Sequence, residues 1–311
     1  MPDIVAMFFV LGVVSGLMKS DLNLPKAAYE TLSLLLMLTI GLKGGMALHG
    51  NLSLGLLQEA LVVLVLGFAI PLLLIPILRY IVGLSDANAI SIAAHYGSVS
   101  AGTFAVALAY TMTHQLETAG QVTLYLVLLE LPALLVALGL YQMKNSARGE
   151  FRLMHLVHET FTNRSVVLLV GGLLIGALYG YDEGSQVTLL LTSSFAVVLA
   201  LFLLEMGLVA SETLRKVRWE DWRLLSFAVI APVCLSFFGI AAAHLLGLAE
   251  GTALILAALT ASASYIAAPV AIRHAIPEAD IGLAMLASLG LTFPFNVLIG
   301  IPLYHQILQW I

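Results

Sequence analysis

Residues 83–103 read GLSDANAISIAAHYGSVSAGT, and residues 247–267 read GLAEGTALILAALTASASYIA. The two stretches lie 164 positions apart, and both begin with Gly-Leu, so that Gly83 aligns with Gly247. Each continues as an apolar run that gives way to small and hydroxyl-bearing residues. The pattern predicts an apolar helix that is interrupted by small residues and that occurs twice in the chain.

The composition is that of a membrane protein. Of the 311 residues, 61% are hydrophobic and 10% are charged, and the mean hydropathy is +1.04. Soluble domains carry about 25% charged residues, so the shortage of charge indicates a chain that crosses the bilayer many times. The net charge of -5, without a basic cluster, argues against a nucleic-acid partner. Cys234 is the only cysteine, which excludes a disulfide framework and a thiolate metal site.

Ten apolar runs of about 20 residues, separated by polar, Gly or Pro residues, are suited to cross a membrane. The predicted spans are 4–18, 27–48, 54–82, 87–113, 121–143, 165–179, 187–210, 224–246, 252–275 and 281–311. The two interruptions fall in the fourth and ninth spans.

The basic residues decide the predicted orientation. Of the 13 Lys and Arg residues, 12 lie in the odd-numbered loops, and only Lys43 lies on the other side. Because cytoplasmic loops are enriched in Lys and Arg, the odd-numbered loops are predicted to be cytoplasmic. Both termini are then predicted to lie on the outer side of a bacterial inner membrane.

The repetition extends beyond the interrupted helices. Gly12 aligns with Gly172 at an offset of 160, and Gly41 aligns with Gly207 at an offset of 166. Each unit has five spans, an odd number, so the second unit enters the membrane from the opposite side. The predicted fold is an all-α membrane protein with ten transmembrane helices in two five-helix inverted-topology repeats, whose fourth and ninth helices are broken. The first repeat is predicted at 1–143, the short basic cytoplasmic linker at 144–164 and the second repeat at 165–311.

Breaking a helix at mid-membrane frees backbone amides at one half-helix's start and carbonyls at the other's end. The amides and the positive end of the helix dipole suit an anion, whereas carbonyls and hydroxyls suit a cation such as Na+. The candidate residues are Ser98, Ser100, Gly102, Thr103, Thr260, Ser262 and Ser264. Close helix packing is the alternative for either cluster alone. The occurrence of both at matching places favours the binding site of a secondary transporter.

Two further polar residues lie within or next to the predicted spans. Glu130 is near the centre of the fifth span, where a carboxylate is costly; a functional role and a protonated packing role both stay open. His95 adjoins the first interruption, where packing is favoured and proton coupling is the alternative. The sequence contains no catalytic constellation, nucleotide motif or metal-ligand spacing, so a transporter without a cofactor is favoured over an enzyme, a sensor or a channel.

Five motifs then suggest a family. They are IGLKGGMA at 40–47, YGSVSAGT at 96–103, LPAL at 131–134, ASASYI at 261–266 and IP at 276–277. Their order and spacing resemble the sodium-dependent bicarbonate transporter family best known from cyanobacteria. Each motif is weak alone, but the ordered set is fairly specific and runs over nearly the whole chain.

The resemblance implies Na+-coupled symport of bicarbonate by an elevator mechanism, with both ligands at the crossing of the two broken helices. It also implies a homotrimer in the lipid bilayer and a PII-like cytoplasmic regulator, although the central linker is shorter here than in the cyanobacterial members. By position, the substrate-binding residues would be Ser98, Ser100, Gly102, Thr103, Ser262 and Ser264. The ion-binding or coupling residues would be Gly97, Glu130, Thr260 and Tyr265.

Two places in the second motif depart from the family pattern. The cyanobacterial members have an aspartate where this chain has Tyr265, and a serine-glycine where it has Ala267-Ala268. A carboxylate near a cation site is thereby lost, so H+ or Na+ coupling to another small anion or carboxylate stays open as the alternative.

Overall fold

The computed structural model describes residues 4–51, 53–145, 162, 164–215, 217 and 219–310. Within these residues the chain is almost entirely helical and contains no β-strand, so the predicted all-α class is confirmed for them. The predicted linker at 144–164 lies mostly outside the described residues.

Twelve helices of the described chain are numbered here in chain order. They are α1 Ile4–Leu17, α2 Lys26–Leu48, α3 Leu54–Val82, α4 Asp86–Gly97, α5 Ala101–Thr113, α6 Val122–Asn145, α7 Arg164–Ser193, α8 Phe195–Leu214, α9 Trp222–Leu246, α10 Glu250–Thr260, α11 Ala267–Ala275 and α12 Ile281–Trp310. The pairs α4–α5 and α10–α11 are the two interrupted helices. We call the segment between α4 and α5 break one and the segment between α10 and α11 break two.

Eight helical stretches of the described chain are long and apolar enough to cross a membrane, with α4 and α5 taken together as one of them. The two other predicted spans are built from shorter helices. The first is the 14-residue α1, and the ninth consists of α10, break two and α11. The presence of multiple apolar helices is confirmed, and the count of ten crossings stays a prediction.

The predicted start of the seventh span, at residue 187, is wrong. Helix α7 bends at Gly180, whose φ of 64° and ψ of -167° are not helical, and then continues past residue 187. Ser194 forms a turn, and α8 begins at Phe195. Val187 and Leu190 belong to the second part of α7, where they are 85% and 79% exposed. The polar run YDEGSQ at 181–186 is typical of a loop, but here it is helical, and the chain turns instead at the Thr-Ser-Ser cluster 192–194.

Helices α3 and α12 contain proline and become π-helical close to it. In α3, the π-helical segment Ile77–Val82 directly follows Pro76. In α12, Leu286–Thr292 and Asn296–Gly300 lie on either side of Pro294. Such π-helical turns often accompany functional sites, and those of α12 carry polar side chains that reach break two and α4.

Four helices pack through glycine. A β-carbon added to Gly12 of α1 would lie 3.0 Å from the Gly207 Cα of α8, and one added to Gly41 of α2 would lie 3.1 Å from the Gly172 Cα of α7. A larger side chain would prevent these backbone contacts. The sequence aligns Gly12 with Gly172 and Gly41 with Gly207. The contact of Gly12 with Gly207 is therefore equivalent to the contact of Gly172 with Gly41, so the same pair of sequence positions meets twice.

Candidate functional site

Break one is short and capped. Helix α4 ends at Gly97, and Ser98 turns the chain into an extended conformation with φ -91° and ψ 123°. The Ser100 hydroxyl accepts a hydrogen bond of 3.1 Å from the Thr103 amide and so caps the start of α5. A β-carbon at Gly97 would lie 2.6 Å from Ala133 Cβ of α6, so this glycine lets α4 end against its neighbour.

Break two is longer and is fastened by its own side chains. The Ser262 hydroxyl donates to the Leu259 carbonyl at 2.8 Å, and the Ser264 hydroxyl accepts from the Ala268 amide at 3.3 Å. The Thr260 hydroxyl donates to carbonyls one turn back in α10. These hydroxyls therefore satisfy the backbone that the interruption exposes.

The two breaks contact each other directly. The Ser264 amide donates to the His95 carbonyl at 2.6 Å and to the Ser98 carbonyl at 2.8 Å. The Ser100 amide donates to the Ser262 hydroxyl at 2.9 Å. Ser98 aligns with Ser262 and Ser100 with Ser264, so here too the sequence-equivalent positions exchange partners across the contact.

Unused hydrogen-bonding capacity gathers around break one, and the Tyr265 hydroxyl of break two is also buried without a hydrogen-bond partner. Among the described residues, the Ser98 hydroxyl, the Thr103 hydroxyl and the His95 Nε2 atom are buried and have no hydrogen-bond partner. His95 Nδ1 lies 2.7 Å from the Ser91 carbonyl, and donation to it leaves Nε2 as an acceptor. A buried polar atom without a protein partner is a candidate for contact with a ligand or an ion.

A small cavity of about 10 Å³ lies where the breaks meet. It is lined by Met37, Val99, Ser100, Ala101, Glu130, Ser264, Tyr265, Ile266 and Ala267. This space admits about one water molecule and is too small for a larger ligand in the structure described. None of the lining residues is basic, and an anion here would depend on amides and hydroxyls.

Tyr265 brings break two onto the start of α5. Its hydroxyl occupies the space that a side chain at Gly102 would take, and it lies beside the Ser100 side chain. Its ring meets Phe293 of α12 edge to face at 5.0 Å. The phenol therefore covers the end of α5 where the helix dipole is positive and where an anion is most favoured.

The remaining predicted coupling residues differ in position. The buried Glu130 of α6 faces the cavity and pairs with no cation of the described chain. Thr260 instead packs on α9, where a β-carbon at Gly239 would lie 2.6 Å from its hydroxyl oxygen. The structure thus brings Glu130, Tyr265 and the predicted serines of both breaks together, while Thr260 faces another helix.

Sequence analysis missed two residues that support the breaks. Asn296 of α12 is fully buried; its Nδ2 donates to the Ala261 carbonyl at 2.8 Å, and its Oδ1 accepts from Tyr304. Tyr96 of α4 bonds the Thr292 hydroxyl at 2.6 Å and so ties α4 to α12. An asparagine within an apolar span was a usable signal, because such residues are costly in a membrane and usually functional.

Comparison with known proteins agrees with the resemblance carried by the motifs. No curated protein sequence matches the chain. The sequence model of the Na+-dependent bicarbonate transporter superfamily matches residues 4–309, nearly the whole chain. The family consists of transporters and not of enzymes, and it associates the chain with bicarbonate, Na+ and a multi-pass membrane location. The chain belongs to the Na+-dependent bicarbonate transporter superfamily.

Proposed function

We propose that the chain is a symporter that couples bicarbonate uptake to Na+ entry by elevator-type alternating access. The observation that carries the proposal is the contact between the breaks, where the Ser264 amide bonds the carbonyls of His95 and Ser98 beside hydroxyls that have no protein partner. Amides, carbonyls and spare hydroxyls in one buried place suit an anion together with a small cation.

The cation would bind at break one. The Ser98 and Thr103 hydroxyls have unused oxygen lone pairs, and the Ser98 carbonyl accepts one hydrogen bond although it has two lone pairs. Unwound carbonyls and hydroxyls are the oxygen ligands that Na+ finds in other transporters with broken helices. Glu130 lines the small cavity next to Val99 and Ser100 of break one and would favour the bound cation by its charge.

The anion would bind at the start of α5, where the helix dipole favours negative charge. In the structure described here, the Tyr265 hydroxyl occupies that place against Gly102. Bicarbonate entry therefore requires Tyr265 to withdraw, which couples substrate binding to a movement of break two. The absence of basic residues from the cavity would keep the anion weakly held and easy to release.

The architecture proposed is two inverted five-helix repeats at 1–143 and 165–311, joined by the linker 144–164. The exchanged glycine contacts of α1 with α8 and α2 with α7 support it. These four helices would form a fixed gate, and the helices that carry the breaks would slide against it. We also propose a homotrimer in the bacterial inner membrane with outer termini, and a PII-like regulator on the cytoplasmic side.

Uptake of isotope-labelled bicarbonate into proteoliposomes tests the proposed transport. At alkaline pH, where dissolved CO2 is scarce, we expect accumulation with an inward Na+ gradient and none with an equal K+ gradient. A Na+ ionophore should abolish the accumulation, and protein-free liposomes are the control. Equal uptake with Na+ and K+ would overturn Na+ coupling, and a mass other than three copies in nanodiscs would overturn the trimer.

A second candidate is H+-coupled transport of another small anion or carboxylate. The position of Glu130 in the cavity favours it, because a buried carboxylate without a basic partner can carry a proton. Glu130→Gln should then remove the pH dependence of uptake and leave the protein folded. If the pH dependence persists in this variant, the proton route through Glu130 fails.

A further inference from the structure

A large groove lies between the second half of α3 and the first half of α9, and no residue of either break lines it. Its volume is about 570 Å³. Its walls are almost entirely apolar, and the principal contributors are Leu73, Ile77, Ile81, Phe227, Ile230 and Phe238. An apolar groove of this size on a membrane protein is suited to hold an acyl chain.

One end of the groove carries the residues of a membrane interface. Tyr80 and Trp222 line it there and are 74% and 58% exposed, as is typical of aromatic side chains at the level of lipid headgroups. The Arg223 guanidinium lies 5.6 Å from the Trp222 ring centroid. It also reaches across to Gly83, the residue that follows α3, where an added β-carbon would lie 3.4 Å from its nearest nitrogen.

The charge of Arg223 has no protein partner in the described chain. Arg79, one turn before Gly83, pairs with Asp86 at 2.7 Å. Glu220 and Asp221 precede α9, but neither lines the groove. An unpaired guanidinium at the headgroup end of an apolar groove is complementary to a phosphate attached to an acyl chain.

We propose that this groove binds one anionic phospholipid, with an acyl chain along α3 and α9 and the phosphate on Arg223. With the orientation proposed above, the lipid would belong to the inner leaflet, because the end of α3 and the start of α9 carry the cytoplasmic basic residues. Anionic lipids are preferred over zwitterionic ones because Arg223 contributes a full positive charge beside the phosphate.

Native mass spectrometry of the full chain gives the first test. We expect one phosphatidylglycerol to be retained per chain and to be preferred over phosphatidylcholine by about fivefold, the preference that one basic side chain near an anionic surface provides. Arg223→Gln should abolish this preference. Arg273→Gln, which removes an exposed basic residue that does not line the groove, should keep it.

Cys234 gives an independent test, because it is the only cysteine of the chain and lines the groove. In nanodiscs, phosphatidylglycerol should slow its reaction with N-ethylmaleimide about fivefold relative to phosphatidylcholine. This protection should persist in Arg273→Gln and disappear in Arg223→Gln. Ser226→Trp, which fills the groove from an exposed position, should remove the bound lipid without touching the charge.

Three outcomes would overturn the proposal. The first is equal retention of phosphatidylglycerol and phosphatidylcholine by the wild-type chain. The second is an unchanged preference in Arg223→Gln, which would show that the phosphate lies elsewhere. The third is oxidative cross-linking of Cys234 between two chains, which would show that a second copy covers the groove.

Discussion

The two breaks are equivalent in sequence but differ in what their hydroxyls do. In break two, the hydroxyls of Ser262 and Ser264 hydrogen-bond the backbone. At break one and the start of α5, the Ser98 and Thr103 hydroxyls are buried and bond no described residue. A duplicated motif has thus become two different parts: break two braces the crossing, and break one keeps the atoms that can hold a ligand.

The largest effect should come from removing the amide that joins the breaks. Ser264→Pro eliminates the donor to the His95 and Ser98 carbonyls and should lower the free energy of unfolding by about 3 kcal/mol. Ser264→Ala keeps the amide and is the matched control, with an expected loss of about 1–2 kcal/mol because the Ala268 amide loses its acceptor. Thermal unfolding in detergent measures both. Equal stability of the two variants would mean that the contact between the breaks does not hold the fold.

The contact of Tyr265 with Gly102 joins break two to the start of α5. Gly102→Ala should cost about 2 kcal/mol of unfolding free energy, because its β-carbon overlaps the Tyr265 hydroxyl. Adding Tyr265→Phe should restore about half of the loss. Gly171→Ala, at a glycine with open space around it, is the control and should cost nothing. An additive loss in the double variant would show that the two residues do not touch.

The sequence-equivalent serines Ser98 and Ser262 should respond differently to substitution. Ser98→Ala should lower the apparent Na+ affinity of uptake about tenfold and leave unfolding unchanged, because its hydroxyl bonds no described residue. Ser262→Ala should instead cost about 1–2 kcal/mol of stability, since the buried Ser100 amide loses its acceptor. Similar losses of Na+ affinity in both variants would show that the two serines have equivalent roles, as their positions in the sequence suggest.

The smallest effect should come from Thr260. Its hydroxyl bonds carbonyls of its own helix, so Thr260→Val should change the Na+ affinity by less than about twofold. Thr103→Val is the matched change at the start of α5 and should lower the affinity about fivefold. Concentration dependence of Na+-driven uptake compares them. A clear loss with Thr260→Val would restore its predicted coupling role.

Much of the fold could be predicted because the relevant signals are local. Long apolar runs place most of the helices, and the change to small residues locates both breaks close to where α4 and α10 end. The seventh span was misplaced because the polar run 181–186 is typical of a loop, whereas the structure continues it as helix and turns only at the Thr-Ser-Ser cluster 192–194.

The site could be predicted by position but not by role. Ser98 and Ser262 occupy the same place in the repeat, and only the three-dimensional contact shows that one hydroxyl is bonded and the other is not. The position of Tyr265 over Gly102 likewise depends on a contact between residues 163 positions apart. Such a contact leaves no pattern in the local sequence.

The contact between the breaks also orders the biosynthesis of the protein. The carbonyls of His95 and Ser98 are translated with the first third of the chain, but their donor, Ser264, is translated more than 160 residues later. At about 5–20 residues per second, the ribosome needs roughly 10–30 s to supply it. During that interval, the exposed polar backbone of these nascent helices must be shielded by water, lipid headgroups or the insertion machinery.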